Sequence, residues 1–482
     1  MRSSRSLAIA IIAIAVACGA PPAAPDAGTD ATVPIDAGAD AAADAAIDAG
    51  RREAPRFLLI DDLGGARIYH GVNFTDDANP NSNAIMPGLA ARSDLAQVAS
   101  LGLNFVRLTR FWHALERADG VIDETYLDRT VELLDWCAEL ELACVLDLHQ
   151  DIYAPKYGGR GFPDWSARDD GLPFEPADPW WLNYTSPAVQ RAYDHFWQDD
   201  DLRARYVEVW LRFARRAAGH PGLLGYDLMN EPFMGTEGAR RFEEGTLTDF
   251  YQELIDAIRR EDPDAWIFVE PLAFAVNTGL SQSFLQPLVA ERIAYFPHLY
   301  QPEVHEGGAY DPQGSYLRTW EQRRGREVER LGLPLLIGEL GAFETGEGHA
   351  DYLRDVFAMA DRITSGWAYW DWGWGGGWSL IRTDRSEGAL VGVLVRAYPE
   401  RIAGTPQRIA FDPATRVLEL DFEDDLAAAG DTVLVVPDRV YPNGFTLEAE
   451  GATSRHDAER MRLHVTTPPD GSLHRLRVAP AP

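Results

Sequence analysis

Between residues 69 and 371, short apolar runs alternate with longer stretches in which apolar residues recur every three or four positions. The short runs read as buried strands and the longer stretches as amphipathic helices. Strands are predicted at 69–74, 104–109, 142–149, 224–230, 266–270, 293–298, 334–339 and 366–371. Helices are predicted near 93–101, 125–140, 188–218, 247–261, 281–290, 315–331 and 349–363. Eight strands with intervening helices argue for a closed parallel (β/α)8 TIM barrel, in which right-handed crossovers bury both strand faces. A doubly wound open sheet would place a glycine-rich phosphate loop after its first strand. Gly71-Val72-Asn73 is not such a loop.

Near residue 398 the helical patterns stop. Short alternating runs follow at 408–411, 417–422, 432–437, 445–449, 462–466 and 473–478. Turn residues such as Pro442-Asn443-Gly444 and Pro469-Asp470-Gly471 separate them. This pattern predicts a small C-terminal β-sandwich. The domain reading is a barrel over 56–397 and a sandwich over 398–482. Direct fusion to the end of the barrel favours a packing role for the sandwich over a separate binding module.

The first residues carry another pattern. Arg2 and Arg5 precede an apolar run from Leu7 to Ala17, and Cys18 follows. A basic start and a run of this length fit an export signal, too short to span a bilayer. Ala15-Val16-Ala17-Cys18 resembles a bacterial lipobox, although Ala15 stands where a larger aliphatic residue is usual. Residues 1–18 are therefore expected to be a signal peptide with lipidation of Cys18. The expected location is the bacterial cell envelope, with secretion of a free protein as the alternative. Residues 19–55 are rich in Ala, Asp, Pro and Gly and are expected to form a flexible tether.

Composition narrows the chemistry. The 482 residues carry 44 basic and 75 acidic side chains, a formal charge of −31, which repels nucleic acid. Lys156 is the single lysine, so Schiff-base chemistry would rest on one residue. With Cys18 modified, Cys137 and Cys144 remain. Export permits a disulfide between them, and two buried free thiols are the simpler reading. The chain is expected to act as a monomer.

The apolar strands hand over to polar residues at their C-terminal ends: Asn73, Arg107, His149, Asn230 with Glu231, Glu270, His298, Glu339, and Trp370 with Asp371. That end is the active face of this barrel. Asn230-Glu231-Pro232 and Gly338-Glu339-Leu340-Gly341 place two glutamates on different strands. Breaking a glycosidic bond needs a proton on the leaving oxygen and a negative partner at the anomeric carbon, and two facing carboxyls supply both. Asn-Glu-Pro alone is also a helix start, with Asn capping and Pro in the first turn. Glu270 before Pro271 lacks the asparagine and reads as structural. His149 and His298 fit core histidines or substrate contacts. A metal centre is not expected, because no His-x-His lies on the first strand and no close ligand cluster appears.

The sequence resembles a glycoside hydrolase family 5 enzyme of clan A, and within it the endoglycoceramidases. Besides the glutamate motifs, the resemblance rests on Asp147 to Tyr153, on Gly225-Tyr226-Asp227-Leu228-Met229-Asn230-Glu231-Pro232, and on Ala397-Tyr398-Pro399 with Ile402-Ala403-Gly404-Thr405-Pro406. It implies Glu231 as acid/base and Glu339 as nucleophile. It implies that Asn230 bonds the sugar 2-hydroxyl and that Arg107 orients the nucleophile. His149, with Asp151, would contact the sugar. His298 and Tyr300 would position the sugar and the nucleophile, and Trp370 would stack under the ring. The implied reaction is retaining cleavage of the β-linkage between glycan and ceramide, without a cofactor. A glycolipid or oligosaccharide is then the partner, with a β-glucan, β-mannan or β-glucoside as the alternative substrate class.

Overall fold

The computed structural model describes residues 58–75, 90–373 and 377–482. Cys18, the expected export segment and tether, and Trp374 lie outside them. Eight parallel strands form the central sheet: β3 (Tyr69–Phe74), β4 (Phe105–Arg110), β5 (Ala143–Leu148), β6 (Leu223–Asp227), β7 (Trp266–Val269), β8 (Ile293–Tyr295), β9 (Ile337–Leu340) and β10 (Gly366–Tyr369). Their spatial order is β8-β7-β6-β5-β4-β3-β10-β9. A parallel bridge from Tyr295 to Leu335 joins the two ends and closes the barrel. Nearly every residue of these strands is buried, as expected when helices cover the outside and side chains fill the inside.

The helices follow their sequence signals, with two exceptions. In α2 (Glu124–Glu139) the Asp123 carboxylate accepts from the Thr125 N–H, and Tyr126, Leu127, Thr130, Leu133, Leu134 and Cys137 form one buried stripe. The helices α1 (Arg92–Ser100), α5 (Thr248–Glu261), α6 (Tyr316–Leu331) and α7 (His349–Ile363) lie within a residue or so of expectation. The expected helix 188–218 is two, α3 (Pro187–Gln198) and α4 (Asp200–Ala217). Three successive aspartates, 199–201, favour a new helix N-terminus there. The segment 281–290 is not helical. Pro287 removes a donor, and side chains of neighbouring elements take over the backbone bonding. Glu243 accepts from the Leu272 and Phe284 N–H groups, and Glu327 from that of Ser283. Arg324 and Arg330 donate to the carbonyls of Ser281 and Ser283.

The C-terminal strands form two antiparallel sheets. One has the order β12-β13-β18-β15, with β12 (Gly404–Asp412), β13 (Val417–Asp424), β15 (Phe445–Ala449) and β18 (Leu473–Pro480). The other contains β11 (Tyr398–Ile402), β14 (Thr432–Val435), β16 (Thr453–Asp457) and β17 (Arg462–Thr466). It also recruits β1 (Leu59–Ile60) and β2 (Ala66–Arg67), with Arg67 opposite Arg401 and Ala66 opposite Ile402. The barrel expected over 56–397 includes residues 59–67, which the structure instead pairs with the sandwich. Two-residue strands carry no alternation to read, so their pairing was not visible. The seam is tight: Tyr398 donates to the Gly102 carbonyl and packs 3.8 Å from the His70 ring. These contacts reach the start of β4 and β3, away from the strand ends that carry the polar residues.

Gly366 sets how closely β10 and β3 approach. Its φ is +124°, and a Cβ there would lie 1.7 Å from the Tyr69 carbonyl oxygen. Gly366→Ala is expected to cost about 3 kcal/mol through strain and backbone displacement, or to prevent folding. Equilibrium urea unfolding followed by tryptophan fluorescence measures this.

Candidate active site

Arg107 lies at the centre of the polar end of the barrel, fully buried on β4. Its Nε donates to Asp227 at 2.8 Å. Nη1 donates to Asn73 at 3.0 Å and to Glu339 Oε1 at 2.6 Å. Nη2 donates to Asn230 at 2.9 Å and to Glu270 at 2.8 Å. All five guanidinium N–H groups are therefore used. Asp147 adds a carboxylate oxygen 3.1 Å away. Burial, and then the charge of Glu270, push the Asp227 carboxyl well above the usual carboxylate range. That rise opposes the accumulation of negative charge around Arg107.

Glu339 sits on β9, buried. Besides Arg107 on Oε1, it accepts the Tyr300 hydroxyl on Oε2 at 2.8 Å. Burial raises its carboxyl above the ordinary glutamate value, and His298 and Arg107 oppose that rise. Glu231 stands four residues past the end of β6, part-buried, at a left-handed φ of +43°. Such a backbone is strained for a residue with a side chain. It is pinned on three sides. Its N–H donates to Glu270 Oε2 at 2.9 Å, and Gln150 donates to the carbonyls of Asn230 and Glu231 at 2.9 and 2.8 Å. The Glu231 Oε1 accepts from Asn277 at 2.9 Å and lies 3.0 Å from His298 Nδ1.

His298 is wedged among carboxyls. Its Nδ1 faces Glu231 and, at 3.4 Å, Glu339 Oε2. Its Nε2 faces Glu270 at 3.1 Å. Burial alone would discharge the ring, but Glu270 and Glu339 together hold it well above the usual imidazole range. One carboxyl oxygen of Glu231, one of Glu339 and a His298 ring nitrogen all lie within 4.8 Å of one another. The sequence showed no such cluster, because these residues come from three separate strand ends. Its atoms already bond one another and Asn277, Arg107 and Tyr300, so hydrogen bonding accounts for the arrangement.

His149 bonds Asp147 through Nδ1 at 2.7 Å and Asp151 through Nε2 at 3.2 Å. Its ring stacks on Trp370, with centroids 5.3 Å apart. Arg160 binds Asp151 at 2.7 Å and lies 5.5 Å over the Trp370 ring. The structure thus brings together all nine residues singled out from the sequence: Arg107, His149, Asp151, Asn230, Glu231, His298, Tyr300, Glu339 and Trp370. Asn277 was missed. It lies in irregular chain beyond β7, where no periodic pattern marks a residue, yet it bonds Glu231 and accepts the His298 N–H. Glu270 is positional, as expected, and touches Arg107, His298 and the Glu231 backbone. Trp378 packs against Tyr300 and Phe343 at the rim, whereas Trp372 is buried. Trp180 is exposed and its neighbour Trp181 is buried. Lys156 is ion-paired to Asp169 at 2.7 Å. Cys137 and Cys144 are buried free thiols.

Comparison with known proteins agrees with this geometry. A family model described as cellulase (glycosyl hydrolase family 5) matches residues 71–376. One described as the glycoside hydrolase family 5 C-terminal domain matches residues 396–478. Endoglycoceramidase I of Rhodococcus hoagii (strain 103S) is 30% identical over 417 residues, which is 82% of this chain and 81% of that protein. An endoglycoceramidase of Hydra vulgaris is 24% identical over 440 residues, 81% of each. Among solved structures, the ganglioside GM3 complex of endo-glycoceramidase II from Rhodococcus sp. superposes with a TM-score of 0.80 at 33% identity. That match covers 88% of this chain and 99% of the other. The lactosyl-enzyme intermediate of the same protein gives a TM-score of 0.79 at 33% identity, covering 88% of this chain and 100% of the other. The chain therefore belongs to glycoside hydrolase family 5, enzymes that hydrolyse O-glycosyl bonds.

Proposed function

We propose that the protein is a retaining endoglycoceramidase-type glycosidase, releasing the glycan of glycosphingolipids from ceramide, with Glu339 as nucleophile and Glu231 as acid/base. One carboxylate oxygen of Glu231 and one of Glu339 lie within 4.8 Å of each other, and that close approach carries the chemical part. Retaining enzymes hold their carboxyls about 5–5.5 Å apart, whereas inverting enzymes leave about 6.5–9.5 Å for a water. The chain-long similarity to endoglycoceramidases supports the substrate class.

The hydrogen bonds divide the labour between two chemically identical side chains. Arg107 and Tyr300 hold the two oxygens of Glu339 and aim it at the anomeric carbon. Asn277 and His298 both address Oε1 of Glu231, which leaves Oε2 to carry the proton. In the first step Glu339 attacks the anomeric carbon, the glycosidic C–O bond breaks, and Glu231 protonates the departing oxygen. In the second, Glu231 takes a proton from water, which attacks the same carbon and expels Glu339. Negative charge moves from Glu339 to Glu231 in the first step and back in the second. The His298 cation lies within reach of both and stabilises whichever carries the charge. Asn230 is held with its side chain toward Arg107, suited to position the sugar 2-hydroxyl. The stacked Trp370 and the Trp378 rim offer apolar faces to the substrate.

We further propose that the protein is exported, anchored through a lipid on Cys18, and acts as a monomer. The basic start, apolar run and cysteine support export and anchoring. No described helix is long and apolar enough to cross a membrane.

Glu339→Gln and Glu231→Gln are each expected to lower turnover of a glycosphingolipid by about 10³-fold or more with unfolding unchanged. Full activity in either variant removes that residue from the mechanism. Turnover of a soluble β-glucan, with none of a glycosphingolipid, overturns the substrate assignment. The pH profile tests the electrostatics. Glu339 must be ionised to attack, and burial raises its pKa, so the rate falls as pH drops through a value above the ordinary 4.5. Arg107→Lys loses the fork that opposes this rise. It is expected to move the acid limb of kcat/KM to higher pH and lower kcat/KM by about 10²-fold. Cys18→Ser is expected to move the protein from the membrane fraction to the soluble fraction, measured by fractionation and immunoblotting.

A further inference from the structure

The C-terminal sandwich carries a side-chain cluster that hydrolysis does not use. Asp424 ends β13, Asp470 lies in the turn after β17, and His474 is the second residue of β18. Phe422 stands opposite His474 in the β13–β18 register. Asp424, two residues further on, therefore points to the same face as His474. One carboxylate oxygen from each aspartate and one His474 ring nitrogen lie within 4.8 Å of one another.

The His474 side chain is only 8% exposed, and its Nε2 has no hydrogen-bond partner among the described residues. The Asp470 Oδ1 toward which it points is 3.9 Å away, beyond hydrogen-bonding range. Buried polar atoms are nearly always satisfied, so an orphan nitrogen pointing at one carboxylate, in a cluster with a second, marks a place for a ligand. Each carboxylate accepts one backbone N–H. Asp424 Oδ2 accepts the Gly471 N–H at 3.2 Å, and Asp470 Oδ1 accepts the Ser472 N–H at 2.9 Å.

We propose that Asp424, Asp470 and His474 bind a divalent metal ion of the zinc class. The donor set selects the metal. Calcium and magnesium take oxygen ligands, whereas an imidazole with two carboxylates suits zinc, with water in the fourth tetrahedral position. Zinc–ligand bonds of about 2.0–2.2 Å require the three ligand atoms to lie roughly 3.4 Å apart, so the site closes on binding. Asp470, more than half exposed at the turn, supplies that movement, while buried His474 supplies the fixed point. The ion ties the turn at 467–472 to the end of β13 and is structural, not catalytic.

Titration calorimetry of the whole protein with Zn²⁺ tests this. One saturable site is expected in the wild type, lost in His474→Gln and in Asp424→Asn, with glycosidase activity unchanged in both. Zn²⁺ is also expected to raise the Tm of the wild type by a few degrees and to leave that of the variants unmoved. Equal Zn²⁺ uptake by wild type and variants, or no saturable uptake by the wild type, overturns the proposal. Anomalous diffraction at the zinc edge from wild-type crystals needs no variant. A peak among the three side chains supports the site, and its absence from Zn²⁺-soaked crystals overturns it.

Discussion

The catalytic end of this barrel is organised around one buried cation. Removing a guanidinium from water is worthwhile only if its donors find good acceptors, and Arg107 finds five. They come from β3, β6, the chain after β6, the chain after β7, and β9. The desolvation of each ion amounts to several kcal/mol, so no single one of these contacts would be stable alone. Together they weld the strand ends into a rigid frame. Glu339, Asn230 and Glu270, which grips the Glu231 backbone, are all addressed by the same planar group. A lysine could not do this, since it offers three donors at one point in place of a flat fork.

Such a frame holds the two glutamates in different ways. Glu339 is bonded directly to the fork. Glu231 is one step removed: Arg107 holds Glu270, and Glu270 holds both the Glu231 N–H and His298. Glu231 is therefore positioned through its backbone and through His298, and its φ of +43° is the geometric trace of that constraint. Two side chains of the same type sit in different surroundings because one touches the cation and the other touches what the cation holds.

How much of this was legible in the sequence follows from the same physics. A strand body that must be apolar and a strand end that must be polar leave an abrupt transition in the chain. His149, Glu270 and His298 each stand at one, whereas Arg107 and Glu339 are interior residues of β4 and β9. Barrel strands buried on both faces read as continuous apolar runs, which is why all eight were found, with ends displaced by a few residues. Asn277 left no such mark, because irregular chain between β7 and β8 has no period against which a functional residue stands out. The false helix at 281–290 has a related cause. Its apolar content is real, but the backbone bonding comes from Glu243, Glu327, Arg324 and Arg330, residues distant in sequence. Propensity within the segment could not reveal that tertiary substitution. The strands β1 and β2 escaped notice because two residues are too few to alternate.

The sandwich separates two demands that compete within one barrel. An active end crowded with buried carboxylates is electrostatically expensive, and it leaves Asp147 and Asp227 each with an oxygen that no hydrogen bond satisfies. Stability must then come from elsewhere. The sandwich takes hold of the chain before β3 and after β10, so the two ends of the barrel sequence are fastened to one sheet. Tyr398 inserts between His70 and the carbonyl of Gly102, on the side of the strands opposite their polar ends. Apolar side chains of both units then form one continuous core. Because that clamp is remote from Arg107, residues on it can strengthen the fold without disturbing the charges at the other end. An autonomous binding module would have no need to share a sheet with the start of the barrel.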